Sequence, residues 1–172
     1  MPVQMAAIQD SESISESVAL GFRVETKVIR IAVVRRRGQE LAYEVMPLNL
    51  PLALEDPQQL TYVRSNLLDV MREAGARFAG IRTGEHVSRG GLKASGRRRI
   101  MIEGVLMELI ASGSAESYVI GAKATLASRL NVTHDEIGKL IEGTSSWLGS
   151  DGWVDLKSNE REAVLIAAAS LP

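Results

Sequence analysis

The 172-residue chain contains no cysteine, which excludes disulfides, thiolate nucleophiles and cysteine-built zinc sites. Histidine is almost as scarce: His86 and His134 are the only two, so any metal site has to be built from carboxylates. No apolar run approaches the ~20 residues needed to span a bilayer, and the first residues carry no signal-peptide pattern. The expectation is a cytoplasmic protein without a membrane partner. Neither sign of charge is in excess. Twenty Lys and Arg against 21 Asp and Glu leave a net charge of −1. This excludes a generally basic nucleic-acid coat protein but permits a local cationic patch, because the field that a ligand feels is local. The remaining composition, 45% hydrophobic and 24% charged, is that of a globular chain long enough to bury one real core.

Residues 1–17 contain the polar stretch DSESISES and read as a flexible N-terminal leader, with a single domain over 18–172. VALGFRV, VIRIAVVR and ELAYEVM are then three β-branched, apolar runs joined by short polar links, and such links favour antiparallel hairpins over crossovers. VIRIAVV is apolar on both alternating faces apart from Arg30, which places it inside a sheet. PLNLPLAL reads as a proline-broken connection. Asp56 is expected to cap a helix with Pro57 at its first position and a stripe at Leu60, Val63, Leu67 and Met71, stopped by Gly75. A strand at Phe78–Ile81, a helix at Ile100–Ala111, a strand at Tyr118–Gly121 and helices at Ala122–Leu130, from Thr133, and at Ser158–Leu171 complete the order. Thr133 and Glu136 have capping-box spacing. Crossovers after the first helix make the later strands parallel to the first. The fold expected is α/β, a mixed five-stranded sheet in the order 3-2-1-4-5 with helices on both faces.

The loop from Arg82 to Arg99 carries the strongest functional signal. It holds Arg82, Arg89, Lys93, Arg97, Arg98 and Arg99 against Glu85 alone, interleaved with Gly84, Gly90, Gly91 and Gly96. Glycines let backbone amides approach a ligand closely, and guanidinium forks suit phosphate. His86 could serve as a further phosphate donor. Arg97–Arg99 sit at a helix start, where cations oppose the dipole. A cluster kept there points to an acidic partner, and a solvated loop is the plainer alternative. Neither a Walker motif nor a dinucleotide fingerprint is present. Trp147 and Trp153 flank a Gly/Ser loop; they pack the last two helices together, or stack on a base.

The order of elements resembles the ribonuclease H-like superfamily, in the branch that includes Holliday-junction resolvases. LGFRVETK (Leu20–Lys27) occupies the place of that family's first strand, with its metal-binding Asp. FAGIRTG (Phe78–Gly84) occupies the fourth strand, which carries a catalytic Glu in the resolvases. NEREAVLIAAA (Asn159–Ala169) is similar to their closing helix, where two acids three apart precede an apolar run. GGLKASGRRRIMIEGVLMEL also resembles a small bacterial family of this fold whose role is unknown. The resemblance implies a nuclease holding two divalent cations between carboxylates.

The sequence departs from that pattern at the positions that matter. Arg23 stands at the first-strand acid and Arg82 at the fourth-strand acid, and an arginine donates but cannot ligate. Glu162 remains, with Asn159 in place of its partner. Glu103 and Glu162 are the candidate catalytic remnants. Glu162 is also the third residue of a capping box begun by Asn159. Arg23 and Arg82 require an anion between them, from Glu103, Glu162 or a phosphate outside the chain. Three readings follow. The first and preferred one is a non-catalytic ribonuclease H-like domain, not a two-metal enzyme, that needs no cofactor. It binds nucleic acid, a nucleotide or another phosphate-bearing ligand through Arg23, Arg82, His86, Arg89, Lys93, Arg97, Arg98 and Arg99. The second is a divergent nuclease holding Mg²⁺ on Glu103, Glu162 and Glu25 or Glu85. The third is a scaffold or homo-oligomerisation module whose loop meets an acidic protein partner.

Overall fold

The structure, a computed structural model, describes residues 15–84 and 93–172. Three antiparallel strands open the chain: β1 (Glu16–Val24), β2 (Val28–Arg37) and β3 (Glu40–Asn49). Helix α1 (Asp56–Ala74) leads to β4 (Phe78–Arg82), α2 (Ala94–Leu109) to β5 (Ser117–Gly121), and α3 (Lys123–Arg129), α4 (His134–Glu142) and α5 (Ser158–Ser170) follow. β4 lies parallel to β1 and β5 parallel to β4, giving one five-stranded sheet in the order β3-β2-β1-β4-β5. That is the order expected from link lengths, and the ribonuclease H-like topology with it.

Strand alternation sends two sets of side chains to two cores. Leu20, Phe22, Val24, Ile29, Ile31 and Ile81 join Val63, Leu67 and Met71 of α1 and Ile102, Leu106 and Leu109 of α2. Ala19, Ala32, Val34 and Phe78 face α3, α4 and above all α5. The central strands are apolar on both faces because both faces are covered.

Several boundaries differ from the sequence expectation. β1 starts at Glu16, so Glu16 and Ser17 belong to the sheet and not to a leader. β3 continues through Pro47 to Asn49, which the proline tolerates because β3 is an edge strand. Glu55, not Asp56, precedes the first turn of α1, while Gly75 ends it in the left-handed conformation as expected. Thr133 and Glu136 do form the capping box of α4.

The largest revision concerns which helix is buried. α2 hides only Ile102, Glu103, Leu106 and Leu109 of its 16 residues, although its sequence is nearly free of charge after Ile100. α5 buries nine of 13. Its docking is allowed by two glycines. A Cβ added to Gly21 of β1 would lie 1.9 Å from the carbonyl oxygen of Ala163, and one at Gly80 of β4 would lie 2.5 Å from that of Ile166. Side chains there would meet helix backbone, which cannot step aside. Trp153 is fully buried beneath the same layer, donates its indole N–H to the Leu140 carbonyl at 3.1 Å and packs against Trp147. The tryptophans are therefore packing residues of the closing helices.

Gly80→Ala is expected to destabilise the domain by ~3 kcal/mol, the upper end of the usual range for overpacking, because the new methyl meets helix backbone. Gly104→Ala, in exposed α2 with nothing within 4 Å of the new methyl, should instead stabilise it by about 1 kcal/mol. Urea denaturation of both variants checks the pair, and equal effects would refute the close approach of α5.

Candidate functional site

Register brings the site together. Arg23 of β1 pairs with Arg82 of parallel β4 on one side and with Arg30 of antiparallel β2 on the other. The three arginines form a row across the sheet, two residues beyond the Gly21–Gly80 pair and on the same face. They therefore rise beside the first turns of α5, where Glu160 and Glu162 meet them.

Glu162 sits between two of these cations. Its Oε2 lies 2.6 Å from Nε of Arg23 and its Oε1 2.9 Å from Nη2 of Arg82. Both partners are largely out of solvent: Arg82 is 4% exposed and Glu162 6%. Arg23 also donates to the Arg82 carbonyl at 3.3 Å, and Arg82 to the Thr83 carbonyl. The third arginine has its own acids. Arg30 reaches Glu25 at 2.6 Å and Glu160 at 3.0 Å.

Glu162 is thus no helix cap. α5 begins two residues earlier than an Asn159 cap requires, with Lys157 as the cap, and Glu160 accepts the backbone N–H of Lys157 at 2.8 Å. That geometry puts Glu162 well inside the helix, facing the sheet. The other remnant, Glu103, is buried on α2, where Arg99 approaches it at 3.8 Å.

The basic stretch is divided by the start of α2 at Ala94. Arg97, Arg98 and Arg99 are helical, not loop residues. Arg98 is tied to Asp56 at the start of α1 at 3.0 Å. Arg99 lies over Gly84, where a Cβ would stand 2.5 Å from its Nη2. Lys93 and Arg97 are exposed. A solvated position thus holds for those two and not for Arg98 and Arg99, because the helix carries them onto the start of α1 and the residues following β4. His86 and Arg89 lie outside the described residues.

Beside the arginine row an open cleft of about 660 Å³ separates the β1–β2 turn from the start of α2. Its walls include Arg23, Lys27, Ser95, Arg99 and Asn159. Sequence reasoning missed Arg30, Glu160 and Lys27 as neighbours of this site, although Arg30 was the one charge in an otherwise apolar strand. It also missed Arg161, a buried guanidinium held by the carbonyls of Trp153, Ile141 and Val154 at 2.8–3.0 Å.

The residues do not fit a divalent cation. Both oxygens of Glu162 are engaged by guanidinium groups, and the strand positions beside it carry donors instead of ligands. Among the described residues no group of three or more His, Cys, Asp or Glu side chains is arranged to hold a metal ion.

Comparison with solved structures agrees with this topology. The chain is similar to RuvC of Thermus thermophilus in complex with a Holliday junction substrate, with a TM-score of 0.65 and 12% identity over 88% of this chain and 91% of that one. A second Thermus thermophilus RuvC structure gives a TM-score of 0.63 at 11% identity, covering 88% of this chain and 92% of that one. The yeast mitochondrial Holliday junction resolvase Ydc2 gives 0.54 at 14% identity, covering 89% and 78%. No protein-family model matches the sequence, and a comparison with curated proteins yields no match. The chain has the ribonuclease H-like fold of these resolvases.

Removing the central carboxylate leaves two guanidinium groups facing each other in a poorly solvated layer. Glu162→Gln should cost ~3–5 kcal/mol, the range for breaking a buried ion pair from one side. Glu108→Gln, which opens the exposed Arg64–Glu108 pair, should cost no more than about 1 kcal/mol. A Glu162→Gln loss in urea denaturation no larger than that of Glu108→Gln would mean that water shares the site.

Proposed function

We propose that this protein is a pseudo-nuclease: a non-catalytic ribonuclease H-like domain that binds nucleic acid through a metal-free basic surface. The observation that carries the reading is the Arg23–Glu162–Arg82 clamp. Hydrolysis of a phosphodiester in a two-metal site needs cations to activate water and stabilise the leaving oxygen. A guanidinium is always protonated and neither ligates a metal nor lowers the pKa of a bound water. It does neutralise phosphate and donate to its oxygens in a fixed fork. Binding chemistry is thereby retained while the hydrolytic part is lost.

Lys27 and Arg99 line the cleft, Lys93 and Arg97 are exposed at the start of α2, and the proposed ligand contacts His86 and Arg89 lie outside the described residues. The likeness to resolvases, one of them bound to a Holliday junction substrate, supports nucleic acid as the ligand. No cofactor is required.

Fluorescence anisotropy with a labelled oligonucleotide tests this. Affinity should fall steeply with salt, with a log–log slope of about −0.7 to −0.9 per phosphate neutralised. It should be the same in EDTA as in Mg²⁺, and no cleavage product should form with Mg²⁺ or Mn²⁺. Metal-dependent cleavage that disappears in Glu162→Gln overturns the non-catalytic reading. Absence of binding at ~50 mM salt, where phosphate contacts are strongest, overturns the nucleic-acid reading.

A further inference from the structure

We infer that the cleft between the β1–β2 turn and the start of α2 is a seat for one internal phosphodiester, and that Lys27, Arg99 and Asn159 hold it without a metal ion. The inference rests on the nucleic-acid reading and adds to it where the chain of the ligand is gripped and in which ionic form.

Three side chains on the cleft wall have unused donors. Lys27, in the β1–β2 turn, is exposed and enters no ion pair among the described residues. Arg99 comes only within 3.8 Å of Glu103, and its Nε–H is buried with no hydrogen-bond acceptor among the described residues. Asn159 is half-buried, and no hydrogen bond engages its side-chain amide there. These donors come from three separate elements: the β1–β2 turn, α2 and α5. Arg23 is already committed to Glu162 and forms the back wall.

Charge decides which phosphate fits. Among the described residues lining the cleft or belonging to the arginine row and its ion pairs, Arg23, Lys27, Arg30, Arg82 and Arg99 face Glu25, Glu103, Glu160 and Glu162, leaving one positive charge in excess. A phosphodiester within a chain is a monoanion and balances it. A terminal phosphate monoester carries about −1.5 to −2 at neutral pH and would leave negative charge uncompensated in a partly dehydrated cleft. Among the described residues the cleft is also open on its solvent side, so a polymer can pass through it without presenting an end.

The test uses a short fluorescein-labelled oligonucleotide without a terminal phosphate, titrated in EDTA over a salt series. Lys27→Ala should weaken binding about tenfold at low salt and make the salt slope shallower by about one, as loss of one phosphate contact requires. Asn159→Asp places a carboxylate where the phosphate sits and should also weaken binding about tenfold. Asp at the second residue of α5 suits the helix dipole, so this variant keeps its fold, which circular dichroism verifies. Arg37→Ala, an equal loss of charge at the far end of β2, should change affinity less than about twofold. Adding a 5′-phosphate to the oligonucleotide should not improve binding to the wild-type protein.

The outcomes separate the two readings. If the wild-type protein binds and both cleft variants bind as tightly, this site is wrong while the nucleic-acid reading stands. If the wild-type protein does not bind at all, that reading fails and this one falls with it. If a 5′-phosphate tightens binding and Lys27→Ala removes the gain, the seat is for a chain end and the phosphodiester assignment is overturned.

Discussion

A single carboxylate held between two guanidinium groups sets the terms for the rest of this domain. Arg23 and Arg82 project from adjacent parallel strands at the same register and on the same face. Two cations so placed repel each other in a layer with little water. Glu162 makes the arrangement tolerable by giving one oxygen to each. Because desolvating these groups cancels much of what their attraction returns, the clamp is better understood as fixing position than as adding net stability. It sets how far along the sheet α5 lies, and therefore which residues of α5 meet Gly21 and Gly80. Apolar packing of Ala163 and Ile166 on those glycines then supplies the stabilisation.

The same arrangement gives the row a chemistry unlike that of a carboxylate cluster. A carboxylate cluster attracts cations and leaves positions open for water. Here the positive charge is covalently attached to the strands, and its neighbours are satisfied within the protein. Arg30 is balanced by Glu25 and Glu160, and Glu160 also caps α5. Each acid near the row is thus used for pairing or capping, and the residual positive charge lies at the rim, with Lys27 and Arg99. Identity of 11–14% to structures of the same topology fits a fold maintained by alternation pattern and helix docking.

Part of this was legible in one dimension. Short links between β-branched runs forced the first three strands into hairpins, and longer helical connections forced the next two into parallel register, so the order of the sheet followed from chain geometry. The adjacency of Arg23 and Arg82 was visible once the strands were placed, and so was the need for an anion between them. The helices were read less well. α2 is nearly free of charge after Ile100 yet covers only one stripe, because it lies over α1 and the central strands β1 and β4 with its outer side exposed. α5, with charged residues at its start, is the buried one, because the two strands beneath it present glycines. Nothing in the local composition of either helix reports what lies opposite it. The shift of Glu162 from cap to clamp has the same origin, since a start displaced by two residues hands the capping position to Glu160 and turns Glu162 toward the sheet.

The sequence by itself therefore determined the strand order, the two-sided core and the arginines at the ends of the two central strands, because each depends on spacing or residue type along the chain. Only the tertiary structure decided which carboxylate joins the arginines, which helix is buried and which cations remain available at the cleft. Those outcomes depend on distances between segments far apart in sequence, Arg23 to Glu162 above all, and such distances are set by packing that no local pattern encodes.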